Sequence, residues 1–147
     1  MTSNHRNHVY VKVCLAFCSV LTAPIFAQSD DYILGRRIGH FIGMNVLADM
    51  FKVSACHDAI KDGNPDYLRR DHFRESVNFV RARYKNKPEV LRHVIDDAKL
   101  ARMRDELVQQ ATPTIEKSVG KNPTSQLCGF LNAEIDNRIL LAQSSLP

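Results

Sequence analysis

The chain has 147 residues, of which 20 are Lys or Arg, 16 are Asp or Glu and four are Cys. This length allows one domain with a modest core and is too short for two. The formal net charge of +4 falls to +2 when Arg6 and Lys12 leave with residues 1–27, because all 16 acidic residues lie beyond that segment. A charge this small does not indicate a nucleic-acid partner, and we expect none.

The first 27 residues have the pattern of a signal peptide. Arg6 and Lys12, with no acidic residue near them, precede the apolar run Val13–Ala27, which has the length of a signal-peptide core. We expect cleavage after Ala27 and export to the periplasm or the medium, so that residues 28–147 form a single helical domain. The alternative is an amino-terminal membrane anchor that is never cleaved.

Two cysteines remain after this cleavage, Cys56 and Cys128, because Cys14 and Cys18 belong to the first segment. In an oxidising compartment such a pair is typical of one disulfide. A bond that closes a loop of about 70 residues stabilises a fold by about 4 kcal/mol in the chain-entropy model. The alternative, a reactive thiol pair, lacks the C-x-x-C spacing of redox sites.

The segment Tyr32–Cys56 carries the densest apolar run of the mature chain. Its apolar residues form two stripes at helical spacing, which predicts a helix with neighbours on more than one side. Gly35, Gly39 and Gly43 recur every fourth residue and therefore share one face. Because each glycine in a helix costs about 1 kcal/mol relative to alanine, we interpret the row as a helix-packing or partner groove. The alternative is a loosely formed first turn that tolerates glycine.

A predicted helix over residues 65–85 follows a cluster of turn-forming residues at 61–65. Its core face repeats at spacings of four, three and four residues: Phe73, Val77, Val80 and Tyr84. The same segment contains four arginines that we group as a basic face: Arg69, Arg70, Arg74 and Arg81. Such a face is typical of contact with an acidic partner or an anionic membrane surface. An ordinary solvated helix surface explains it equally well.

The next apolar residues point in two opposite directions, which one straight amphipathic helix does not accommodate. We predict a short helix over 88–95, a break with Asp97 as the cap of the next helix, and a helix over 98–111. The alternative is a continuous helix between two neighbours. Thr112-Pro113 predicts the start of a further short helix that ends near Gly120.

The last helix is predicted to begin at Asn122-Pro123. Its apolar stripe is the most regular in the chain: Cys128, Leu131, Ile135, Ile139 and Ala142. Because Cys56 ends the first predicted helix and Cys128 begins this stripe, a disulfide makes these two helices antiparallel neighbours. No segment alternates apolar and polar residues over the length of a strand. The predicted fold is all-α, a bundle of four to six helices pinned by one disulfide.

The chain lacks the common catalytic and cofactor motifs, including G-x-S-x-G, the phosphate-binding glycine loop, H-E-x-x-H and the haem motif. We therefore expect no cofactor and no metal. Asn45 and Asp49 are polar residues within an apolar neighbourhood, and a buried Asp49 needs a partner, for which Arg138 of the last helix is the candidate. The alternative places Asp49 at the wet edge of the stripe.

These features favour a small exported protein that binds another protein, such as an envelope chaperone, an adaptor or a toxin-neutralising inhibitor or immunity protein. A second hypothesis is an envelope enzyme whose site is assembled from separate residues, with His93, Asp97 and Asp49 as candidates. A third is a protein that lies on anionic lipid through the basic face. In that third case membrane binding weakens as salt rises.

Overall fold

The computed structural model describes residues 30–92, 94 and 96–147. The predicted signal peptide, residues 1–27, and the candidate residue His93 lie outside the described residues. Within them the chain forms helices and no strand, which confirms the all-α class. The helices are α1 (Asp30–Lys52), α2 (His57–Gly63), α3 (Pro65–Arg69), α4 (His72–Arg83), α5 (Pro88–Leu91), α6 (Asp97–Val119) and α7 (Ser125–Ser144).

Seven helices in the described residues exceed the predicted four to six, chiefly because the segment between α1 and α4 is broken into short pieces. The predicted helix over 65–85 is interrupted at Arg70, whose backbone is extended. Asp71 then accepts a hydrogen bond from the Arg74 amide and caps α4, and Asn64 caps α3 in the same way through the Tyr67 amide. Such side-chain caps compete with continuation of a helix.

Helix α1 is central, and it packs against α4, α6 and α7. From Phe41 to Lys52 its residues are buried apart from the half-buried Asp49. A helix apolar on most of its circumference needs neighbours on several sides, and these three helices provide them. No helix among residues 30–147 has an apolar stretch long enough to cross a membrane.

Two apolar clusters lie along α1, one at each end. The first surrounds its amino-terminal half and includes Leu34, Ile38, Phe41, Val77, Val80, Tyr84, Leu100 and Ala142. The second surrounds its carboxyl-terminal half and includes Leu47, Phe51, Ile60, Tyr67, Ala111, Ile115, Val119, Cys128 and Ile135. The predicted core face of α4 therefore packs at the amino-terminal end of α1, with Phe73 contacting both clusters.

Helix α6 is continuous where two helices were predicted, and it carries Pro113 in its interior. A proline there costs about 3 kcal/mol. Beyond it, Ile115 and Val119 extend the buried stripe of Ala111, and burying each such side chain contributes roughly 1.5–3 kcal/mol. Packing thus outweighs the local break signal. The cap of α6 is Asp96, which accepts from the Lys99 amide, rather than the predicted Asp97.

Helices α1 and α7 are antiparallel neighbours, as predicted. Cys56, just beyond α1, is bonded to Cys128 near the start of α7, with the two Cα atoms 5.5 Å apart. At the other end the Arg37 guanidinium donates to the Ser145 carbonyl at 3.0 Å. Helix α7 begins at Ser125, later than predicted, because the Thr124 hydroxyl caps it by accepting from the Leu127 amide.

Candidate functional site

The Asp49 carboxylate joins the end of α1 to the start of α4. It accepts hydrogen bonds from the backbone amides of His72 at 3.1 Å and Phe73 at 2.8 Å, and it lies 3.0 Å from Nδ1 of His72. The Lys52 ammonium lies 2.7 Å from the same carboxylate and also donates to the Arg70 carbonyl. Asp49 therefore caps α4 from another helix and is ion-paired at the same time.

These contacts decide the charge of Asp49. Burial alone would raise its pKa, but the hydrogen bonds from His72, Lys52 and Phe73 outweigh burial and lower the pKa to about 2. The partner expected for Asp49 was Arg138, and this assignment is corrected, because Arg138 is paired with Glu134 at 2.8 Å. Asn45 makes no hydrogen bond to Asp49. It is buried, and its side-chain amide donates to the Phe41 carbonyl at 2.8 Å.

The His72 side chain is 1% exposed and uses only one of its two ring nitrogens. Nδ1 faces the Asp49 carboxylate, whereas Nε2 has no hydrogen-bond partner in the described residues. Three buried side-chain atoms of the described residues have no hydrogen-bond partner: His72 Nε2, Tyr67 Oη and Asn132 Oδ1. Buried polar groups are almost always paired, so each of these three unpaired atoms needs an explanation.

Two of the three atoms belong to side chains that contact each other, Tyr67 of α3 and His72 of α4, and the third belongs to Asn132 of α7. The rings of Tyr67 and His72 are 4.6 Å apart between centroids. Asp136 of α7 is near both rings, since burial and then the charge of Asp136 raise the pKa of Tyr67. Asn132 stands one turn before Asp136 and so shares its face of α7. We call Tyr67, His72, Asn132 and Asp136 the polar seam.

Asp136 is half-buried on the side of α7 that faces Tyr67 and His72. Burial raises its pKa, against the opposing effects of His72, Tyr67 and Arg70. The apolar stripe of α7 gives no indication in the sequence that Asp136 differs in burial from a solvated residue. Tyr67 of α3 and His72 of α4 lie beside Asp136, and the sequence did not predict α3 as a separate helix.

The polar seam adjoins a surface cleft of about 510 Å³ between α2 and α7. Asn132 belongs to both. The lining is mostly apolar and includes one charged residue, Asp62: the full set is Ala59, Ile60, Asp62, Gly63, Asn64, Ser125, Gly129 and Asn132. A concave, mostly apolar surface with a few polar groups is the usual form of a binding site.

The glycine row divides into two parts. Gly35 and Gly39 are exposed, and a Cβ added at either would meet no atom within 4 Å. Gly43 is buried. Among the described residues, no neighbouring helix therefore approaches closely at Gly35 or Gly39.

The four arginines of the predicted basic face do not form one continuous surface. Arg69 lies 3.2 Å from Asp66, and Arg70 lies 2.6 Å from Glu75. Arg81 is paired with Asp97 across to α6, and it donates to the Val94 carbonyl at 2.8 Å. Arg74 is exposed. Three of these charges are thus balanced by carboxylates, and the four residues are distributed over α3, α4 and the link between them.

Asp49 and Asp97, the two described residues of the enzyme hypothesis, are not brought together. Asp49 contacts the first residue of α4, His72, whereas Asp97 contacts Arg81, nine positions further along. This separation is about 13 Å along a helix. The Asp97 side chain is 83% exposed. Among the described residues no group of three His, Cys, Asp or Glu is placed to hold a metal ion.

The outward face of α7 carries large apolar side chains that the sequence reading did not single out. Leu140 and Leu141 are 63% and 69% exposed, and Leu127 and Phe130 are also exposed. The adjacent pair Leu140-Leu141 was the available signal, because one helical stripe does not bury both members of such a pair together with Ala142. We call Leu127, Phe130, Leu140 and Leu141 the outer face of α7.

No protein-family model matches the chain, and neither a curated protein nor a solved structure is detectably similar to it.

Proposed function

We propose that the protein is exported and acts by binding another protein of its compartment, as an envelope chaperone, an adaptor or a toxin-neutralising inhibitor does. The observation that carries this proposal is the outer face of α7, where Leu140 and Leu141 are 63% and 69% exposed. Apolar side chains exposed together on a folded protein are characteristic of interaction sites.

The opposite face of α7 already supplies what folding requires. Cys128, Ile135 and Ala142 are buried against α1 and its neighbours. A surface helix needs one apolar face to be held on a core. The outer face of α7 therefore adds little to folding. A protein partner with an apolar surface of its own would bury it.

The binding experiment compares two variants. The double substitution Leu140→Gln with Leu141→Gln removes apolar surface from the outer face, and Met103→Gln removes an exposed apolar side chain from α6. The partner is isolated from the protein's own envelope fraction by affinity capture, identified and purified, and its Kd is measured for each variant. We expect the double variant to bind at least about tenfold more weakly, which is about 1.4 kcal/mol, and Met103→Gln to bind normally.

Two results oppose this proposal. Equal binding of the double variant would remove the outer face of α7 from the interface. Failure of the wild-type protein to form a complex with any purified envelope protein would remove the function. Export is tested separately by intact-mass measurement, with an exported form that begins at Gln28 as the expected result.

A further inference from the structure

The cleft between α2 and α7 has the chemistry of a cation site. Asp62 is exposed and is the only charged residue in its lining, and within the described residues its carboxylate makes no ion pair or hydrogen bond. The remaining polar groups are Asn64, Ser125 and Asn132, and the Asn64 oxygen is already used to cap α3. A ligand that enters the cleft therefore meets one unpaired negative charge and a mostly apolar wall.

Asn132 supplies an acceptor at the same place. Its side chain lines the cleft, and its Oδ1 atom is buried without a hydrogen-bond partner. A half-turn about the terminal torsion of an asparagine is soft. It exchanges the positions of the amide oxygen and nitrogen, so that the oxygen can face the cleft. An N–H donor in the cleft would thus satisfy an oxygen that now has no partner.

An anion is the less favoured occupant. Ser125, the first residue of α7, borders the cleft, and the amino-terminal end of a helix attracts negative charge. The Thr124 hydroxyl and carbonyl already accept from the Leu127 and Cys128 amides. Asp62 would repel an anion, and Asn132 would gain no donor from it.

We propose that this cleft binds a lysine or arginine side chain of the protein partner, with the Asp62 carboxylate as the counter-ion and the Asn132 oxygen as a hydrogen-bond acceptor. The inference builds on the proposed function, since it describes the partner of the same protein. Lysine and arginine combine a long apolar stem with a cationic end, which matches an apolar wall with one carboxylate. The volume of about 510 Å³ exceeds that of one such side chain.

The position of the cleft fits a partner that covers α7. Gly129 lines the cleft, and Ala133, four residues later on the next turn, is exposed toward the outer face. A protein that buries Leu140 and Leu141 would reach the cleft by extending along the same helix. The partner would then place an apolar surface on the outer face of α7 and one basic side chain between α2 and α7.

The direct test is a titration of the purified, disulfide-bonded protein with Nα-acetyl-arginine amide, followed by amide chemical shifts. The uncharged control is Nα-acetyl-citrulline amide, which has nearly the same shape. We expect the arginine probe to shift the amides of Gly63 and Gly129 and the citrulline probe to bind at least about tenfold more weakly, as a charge-assisted hydrogen bond requires. Equal binding of the two probes would overturn the proposal. Shifts at these amides with acetate but not with the arginine probe would overturn it too.

Matched variants locate the site. Asp62→Asn removes the lining carboxylate, and Asp66→Asn removes an exposed carboxylate that is paired with Arg69 outside the cleft. Gly129→Leu fills the cleft, where a Cβ meets no atom within 4 Å, and Ala133→Leu adds the same group on the exposed side of α7. We expect Asp62→Asn and Gly129→Leu to abolish binding of the arginine probe at unchanged Tm. Loss of binding in the two control variants to the same extent would contradict the site.

The two proposals fail separately. A purified protein partner that binds Asp62→Asn and Gly129→Leu as tightly as the wild type would leave the proposed function in place and exclude the cleft. Binding of the arginine probe together with the absence of any protein complex would support the cleft and exclude the proposed function.

Discussion

Asp49 and Asp136 are both close to His72, yet their surroundings differ. Around Asp49 each polar atom has a partner: two backbone amides, a ring nitrogen and an ammonium converge on one carboxylate. Around Asp136, Tyr67 Oη and His72 Nε2 have no partner at normal hydrogen-bond distance, and Tyr67 interacts with the carboxylate only over a longer distance. The pKa of Asp49 is lowered by its hydrogen bonds, whereas the pKa of Asp136 is raised by burial.

Asp49 stabilises the fold, whereas the polar groups around Asp136 remain available to a ligand. Asp49 is a component of the core, because it caps α4 and fixes the contact of α1 with α4. Asn132, one helical turn before Asp136, lines the open cleft. Fully paired polar groups make a structure rigid, whereas partly paired ones are costly unless something else completes them. The predictions below test this contrast in order of expected size.

The largest effect is expected from the disulfide, which joins the Asp49 side of the molecule, through Cys56, to the α7 side, through Cys128. The bond closes a loop with a sequence separation of 72, so its removal should cost about 4 kcal/mol. Denaturant unfolding of the oxidised protein and of the Cys56→Ser, Cys128→Ser double variant measures this difference. Two titratable thiols in the native exported protein would contradict the assignment.

The next effect is expected at Asp49. Asp49→Ala leaves the His72 and Phe73 amides and the Lys52 ammonium without their shared acceptor, and breaking a buried pair in this way costs about 3 kcal/mol. Asp136→Ala is the matched variant on the other side of His72, and we expect a much smaller loss. Equal losses of unfolding free energy in the two variants would remove the contrast between the two sides.

The pH dependence should have opposite signs at the two carboxylates. The pKa of Asp49 falls from 3.8 to about 2 on folding, so its stabilisation is complete above about pH 4 and is lost as pH falls toward 2. This contribution is about 2 kcal/mol. The pKa of Asp136 is raised, so its ionisation opposes folding as pH rises. We expect Asp49→Asn to flatten the acid limb of unfolding free energy against pH, and Asp136→Asn to leave that limb in place.

The smallest effect is expected at Tyr67. Its buried hydroxyl has no hydrogen-bond partner at normal distance in the described residues, and it interacts with the Asp136 carboxylate only over a longer distance. Tyr67→Phe removes that group while keeping the ring against His72. Removal of an unpaired buried hydroxyl should leave stability unchanged or raise it by about 1 kcal/mol. A loss of about 1 kcal/mol or more in thermal or denaturant unfolding would show that the hydroxyl is bonded, by water or a ligand, and would weaken the comparison.

The sequence by itself determined the features that depend on local pattern and covalent chemistry. The all-α class, the central first helix, the stripe of α7 and the pairing of Cys56 with Cys128 followed from helical periodicity and from the count of cysteines left after residue 27. The antiparallel contact of α1 and α7 then followed from the disulfide. Each of these inferences needs only residues that are near in sequence or joined by a bond.

Only the tertiary structure decided which polar groups meet. Asp49 was singled out, but its partners His72 and Lys52 were not, because the cap of α4 by a residue of α1 depends on the angle at which the two helices cross. Pro113 lies within α6 because the burial of Ile115 outweighs a local break signal. The polar seam and its cleft form where four separate helices meet, α2, α3, α4 and α7, and no short-range sequence pattern contains that information.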